Sequence, residues 1–237
     1  MKLHYAKDYG FLFLYEFLGT FILFVAVNFS FSNPAIVLGG VFLSCVIAGR
    51  PTGSHINFGA TIGIYVLEGR FKRNLKPLLV YFASGLCGGL CGTLFCYYML
   101  GPTLVKAVRP YNLEWSILYV MSLEFFFSWL SMTVVFHVKD PHLSIFNDMV
   151  IGVMASLVSI YFCLSCCMYL TGSVFSPTLA LVNMPFIAYI QGHTAYLKFL
   201  PAYVIGGTLG GVFAAFYTKY FAIPVHIKAQ RHLLLSQ

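Results

Sequence analysis

The chain has 237 residues, of which 59% are hydrophobic and only 9% charged, far too little polar surface to clothe a water-soluble domain. The formal net charge of +7 does not point to nucleic acid, because the basic residues gather at the ends of apolar runs and form no stripe interleaved with aromatics. An integral membrane protein remains, with the lipid bilayer as its first partner.

Taken in order, the apolar runs predict six spans at about 10–31, 35–50, 77–99, 115–136, 149–170 and 200–221, the second of them short. Two further runs, near 57–67 and 177–190, are about half the length a span needs and suit re-entrant segments. The first span follows MKLHYAKDYG with no small-residue cleavage site and is expected to be retained. With six spans, Lys2, Lys7, Arg50, Arg70, Lys72, Arg73, Lys76, Lys139, Lys219, Lys228 and Arg231 fall on one side and Lys106, Arg109 and Lys198 on the other. That asymmetry predicts both termini on the positive, inner face.

The seven cysteines all lie within spans and read as small hydrophobes. Cys163-x-x-Cys166 has no second ligand pair beside it, so neither a metal nor a cofactor is expected. No Ser/His/Asp set, carboxylate pair or phosphate loop suggests an enzyme.

The order of features repeats. LYEFLGTFILF in the first span and SLEFFFSWLSM in the fourth each carry one glutamate, Glu16 and Glu124, followed at once by Phe. A carboxylate at membrane depth costs at least ~2.5 kcal/mol, so each is expected to face the protein interior and brace a carbonyl-rich loop. The third span carries Gly85, Gly88, Gly89 and Gly92, and the sixth Gly206, Gly207, Gly210 and Gly211, small faces that let helices cross closely. Each half also holds a polar turn with a half-length run, GSHINFGATIG and TGSVFSPTLAL. An odd number of spans per half predicts an inverted repeat, about 1–105 and 106–237, within a single membrane domain.

These parts resemble the aquaporins and glycerol facilitators, the major intrinsic protein family, over nearly the whole chain. The resemblance implies an all-α fold of six transmembrane helices plus two re-entrant half-helices, and a homotetramer. It places the family's two Asn-Pro-Ala boxes at Asn57-Phe58-Gly59 and Ser176-Pro177-Thr178, so both are altered. A literal Asn33-Pro34-Ala35 lies only 17 residues after Glu16 and reads as a helix cap followed by proline in the first turn. In the family the half-helix amino ends and two Asn amides orient single-file water. Here Asn57 keeps one amide and Ser176 offers a shorter hydroxyl. Phe58 is expected to set a bulky ring at the junction, where it wedges the half-helices or covers the lumen.

The family's outer constriction maps onto Val37, Leu164, Ser173 and Leu179, with Leu179 where the family has Arg. An apolar ring of this kind predicts poor water transport and closure by dewetting. His55 reads as bracing its loop by a hydrogen bond in preference to switching with pH. Arg50 reads as a snorkelling membrane-end residue in preference to a guard of the inner mouth.

Two functions stay open: a passive channel for small neutral solutes, and a non-conducting accessory subunit held among unrelated membrane subunits.

Overall fold

A computed structural model describes residues 8–105, 107–172 and 175–235. The described residues are helical with connecting turns, in the order α1 (Tyr9–Phe29), α2 (Pro34–Thr52), α3 (Phe58–Glu68), α4 (Phe71–Leu100), α5 (Ile117–Lys139), α6 (Met149–Thr171), α7 (Pro177–Gln191), α8 (Leu200–Tyr217) and α9 (Ile223–Leu235). Six helices among the described residues are long and apolar enough to cross a membrane, and the chain is an integral membrane protein. The predicted spans are all present. α4 starts six residues earlier than the apolar run, because Pro77 lies in its second turn and the basic FKRNLK segment joins the helix. The sixth span does not stop at 221: α8 is followed by a π-helical turn, Thr218–Ala222, that leads into α9.

Turn chemistry sets the ends. Asn33 caps α2, its Oδ1 accepting from Ala35 N at 2.9 Å with Pro34 in the first turn. Gly53 (φ 91°) and Gly172 (φ 69°) end α2 and α6 in the left-handed region, turning the chain into the two polar loops.

Two parallel pairs dominate the packing, α1 with α4 and α5 with α8. Their glycines make that approach possible. A Cβ on Gly92 would sit 3.0 Å from Phe21 O, and one on Gly210 only 2.7 Å from Phe125 O. Gly89 faces the Phe24 ring, Gly85 faces Thr178 of α7, Gly207 faces Pro177, and Gly211 faces the Gly59 carbonyl.

The half-helices run in opposite directions. α3 lies along α8, with Gly59 against Gly207, Gly63 against Gly211, and Gly69 beside the Lys219 ammonium beyond the end of α8. α7 starts with Thr178 on Gly85 of α4 and finishes where Gln191 Nε2 donates to Pro102 O (2.7 Å) and Val105 O (2.9 Å), beyond the end of α4. The face holding Arg50, Lys72, Lys139 and Lys219 is called the basic face below.

Candidate functional site: the junction of the half-helices

Each half-helix is capped by its box residue. Asn57 Oδ1 accepts from Gly59 N at 2.9 Å, and Ser176 Oγ accepts from Leu179 N at 3.3 Å. The Asn57 amide also crosses to the other loop, where Nδ2 donates to Phe175 O at 2.8 Å. The two amino ends therefore meet, with their positive dipole ends together. Just before each cap the backbone turns left-handed, at Ile56 (φ 34°) and Phe175 (φ 56°). Such angles are strained for a β-branched or bulky residue and need outside support.

Glu16 supplies support on the first loop. Buried on α1, its carboxylate accepts from the Thr52 hydroxyl, from His55 N (3.0 Å) and from Ile56 N (2.9 Å). The His55 ring stacks on Tyr81 at 4.1 Å, so its side chain braces by ring contact as well as through the backbone. Glu124 is equally buried at the matching place on α5.

Four residues outside the sequence-derived set join the site. The Tyr81 hydroxyl donates to Thr52 O at 2.6 Å, and the Tyr203 hydroxyl donates to Thr171 O. Tying the last residue of the helix before each loop to the glycine-rich helix of its own half, these bonds repeat at 52/171 and 81/203. Aligning Thr52-Gly53 with Thr171-Gly172 in the sequence would have found them.

Phe58, expected to wedge the half-helices or cover the lumen, starts α3. Its ring lies against Phe82 of α4 at 4.5 Å, half-buried, and the Asn57 to Phe175 bond closes the junction beside it. Pro177, the first residue of α7, lies against Gly207 of α8.

Of the constriction residues, Ser173 lies outside the described residues. Val37, Leu164 and Leu179 are 0%, 1% and 0% exposed. Val37 and Leu164 belong to one apolar cluster with Leu23, Cys163, Cys167, Met168 and Phe175. Leu179 packs in the neighbouring cluster with Phe24, Val108 and Tyr203. Arg50 is exposed at the end of α2, consistent with a side chain reaching the headgroups.

The segment after α4 folds back over the second loop. Val108 N donates to the buried Asn183 Oδ1 at 2.8 Å, Tyr111 N donates to Leu170 O at 2.7 Å, and Arg109 O abuts Gly172. Val105 and Val108 of this segment are themselves buried.

No family model matches the chain. Over 110 residues it is 31% identical to an aquaglyceroporin of Plasmodium berghei (strain Anka), an alignment that covers 41% of this chain and 42% of that protein's length. Its structure is similar to the X-ray structure of the aquaglyceroporin from Plasmodium falciparum, with a TM-score of 0.78 and 19% identity over 92% of this chain and 99% of that one. The chain has the aquaporin fold.

Proposed function

We propose that this protein is an aquaporin-fold channel with a degenerate filter, a poor water channel that passes small neutral solutes when its constriction parts. The halves form an inverted repeat, and the basic face, with both termini, is the inner one. The observation that carries this reading is the dryness of Val37, Leu164 and Leu179, all of them buried out of reach of water. Water entering such a ring gives up hydrogen bonds at a cost of several kcal/mol for each unreplaced partner, roughly 2–7. An Arg and a His would return those bonds; Leu179 and Leu164 return none. The likeness to aquaglyceroporins directs the substrate class to uncharged molecules of glycerol size.

Osmotic swelling of proteoliposomes tests this across water, glycerol, urea, ammonia and peroxide. Water permeability should stay near that of empty vesicles while at least one small neutral solute exceeds them. Finding no solute faster than empty vesicles removes the transport reading.

The sealed ring also favours a second reading, a non-conducting accessory subunit. α2 presents Ile36, Phe42, Leu43, Val46 and Ile47 on its exposed side, a flank available to another membrane helix. Purification in mild detergent separates the two, since a homotetramer free of other chains supports the channel and co-purifying unrelated subunits support the accessory role.

A further inference from the structure

Where the sixth span meets the basic face, the surface holds a cleft of about 390 Å³. It follows the π-helical turn: Tyr217 stands before the turn, Phe221 within it, and Val225 and His226 after it on α9, while His137 lines the cleft from α5. A span needs roughly 20 residues, which from Leu200 brings the chain to Lys219, so the cleft lies at headgroup level. Turns of this π-helical kind are rare and gather at functional sites.

Its walls suit two parts of one molecule. Phe221 and Val225, one turn apart, are 65% and 67% exposed and give the cleft an apolar side. The polar side is imidazole. His137 is held in place, its ring stacked on Tyr217 at 5.9 Å and its Nδ1 2.8 Å from Thr133 O. A carbonyl only accepts, so Nδ1 carries its hydrogen there and Nε2 is left for a ligand. Neither that Nε2 nor the half-buried His226 ring has a hydrogen-bond partner among the described residues. None of the described residues lining the cleft is acidic. Asp140, three residues beyond His137, gives its Oδ1 to His142 N at 2.9 Å.

We propose that this cleft binds an anionic phospholipid of the leaflet at the basic face, the headgroup phosphate accepting from the His137 and His226 imidazoliums and an acyl chain lying over Phe221 and Val225. An imidazolium donates through both nitrogens and a phosphodiester only accepts, so the two match. Lys139 and Lys219 belong to the same face and Lys228 follows His226 by two residues, a setting that attracts a net-negative lipid and repels the choline ammonium of a zwitterionic one. A soluble anion would fill the polar side and leave Phe221 and Val225 uncovered, which makes lipid the occupant. The inference rests on the cleft and holds whether or not solute passes the constriction.

Native mass spectrometry of the full chain in a neutral detergent reads the lipid it retains. The protein is titrated with phosphatidylglycerol, with phosphatidylcholine of the same acyl chains, and with glycerol 3-phosphate as the anion without chains. Phosphatidylglycerol should bind roughly tenfold more tightly than phosphatidylcholine, and glycerol 3-phosphate should not displace it at equal concentration. His137→Phe combined with His226→Phe keeps both rings and removes their nitrogens, and should weaken phosphatidylglycerol binding about tenfold or more. His226→Phe alone, on a helix that packs against the π-helical turn, should weaken it severalfold, so a double variant that does not fold leaves the test standing. Lys72→Gln takes a charge from the same face outside the cleft and should leave binding unchanged. Equal binding of the two lipids, glycerol 3-phosphate binding as tightly as the lipid, native binding in the His variants, or an equal loss in Lys72→Gln would each overturn the proposal. Swelling assays do not enter this test, so a channel that fails to conduct leaves its result intact.

Discussion

Asn57 and Phe175, 118 residues apart, are joined by a 2.8 Å hydrogen bond from the Asn57 side-chain amide to the Phe175 carbonyl. The same side chain caps α3 through its other atom, so one residue both starts a half-helix and ties it to its counterpart.

Removing that double role should cost more than removing a cap. Asn57→Ala loses a cap worth ~1 kcal/mol and a cross-loop bond worth about 1 kcal/mol, roughly 2 kcal/mol in all. Asn57→Asp keeps the acceptor and loses the donor, and Ser176→Ala loses only a cap, so each should cost about half as much. Thermal unfolding in detergent orders the three variants; equal losses would show that the cross-loop bond contributes nothing.

Glu16 holds the first loop at a strained Ile56. Glu16→Gln replaces one acceptor oxygen by a donor amide facing donors, and should cost about 2–4 kcal/mol. Thr52→Val withdraws one donor and should cost about 1 kcal/mol. The yield of folded, monodisperse protein and its melting temperature check both, and a harmless Glu16→Gln would contradict the bracing role.

Close helix crossing predicts a sharp contrast between glycines. A Cβ at Gly210 meets Phe125 O at 2.7 Å and Trp129 N at 2.8 Å, so Gly210→Ala should separate α5 from α8 and cost about 1–3 kcal/mol. A methyl group added at Gly39 would meet nothing within 4 Å, and Gly39→Ala should be neutral or stabilise by up to about 1 kcal/mol. Melting temperatures of the pair decide it, since equal effects would exclude crossing distance as the reason for Gly210.

The spans and half-helices were legible because run length and glycine spacing are properties of the chain itself. Asn33-Pro34-Ala35 was readable as a cap for the same reason, its residues acting on their own backbone. The direction of the Phe58 ring was not, because Phe82 on another helix decides it. Nothing in the local sequence marks Tyr81 and Tyr203, because their hydroxyls act on the Thr52 and Thr171 carbonyls of other helices. Val105 and Val108 were hidden in a segment too short to show a period, and their burial comes from α7 and its Asn183. That Leu179 and Leu164 are apolar was plain in the sequence; that both are buried depends on Leu23, Met168 and Phe175 around Leu164 and on Phe24, Val108 and Tyr203 around Leu179.

The proposed sealing of the constriction is tested most directly by stopped-flow osmotic water permeability of proteoliposomes carrying the native chain, Phe58→Pro, or Leu164→Ala combined with Leu179→Ala. Native protein and Phe58→Pro should match empty vesicles, and the double alanine variant, which trims two dry side chains, should be several-fold faster. Native protein that already carries water several-fold faster than empty vesicles would contradict the closed ring.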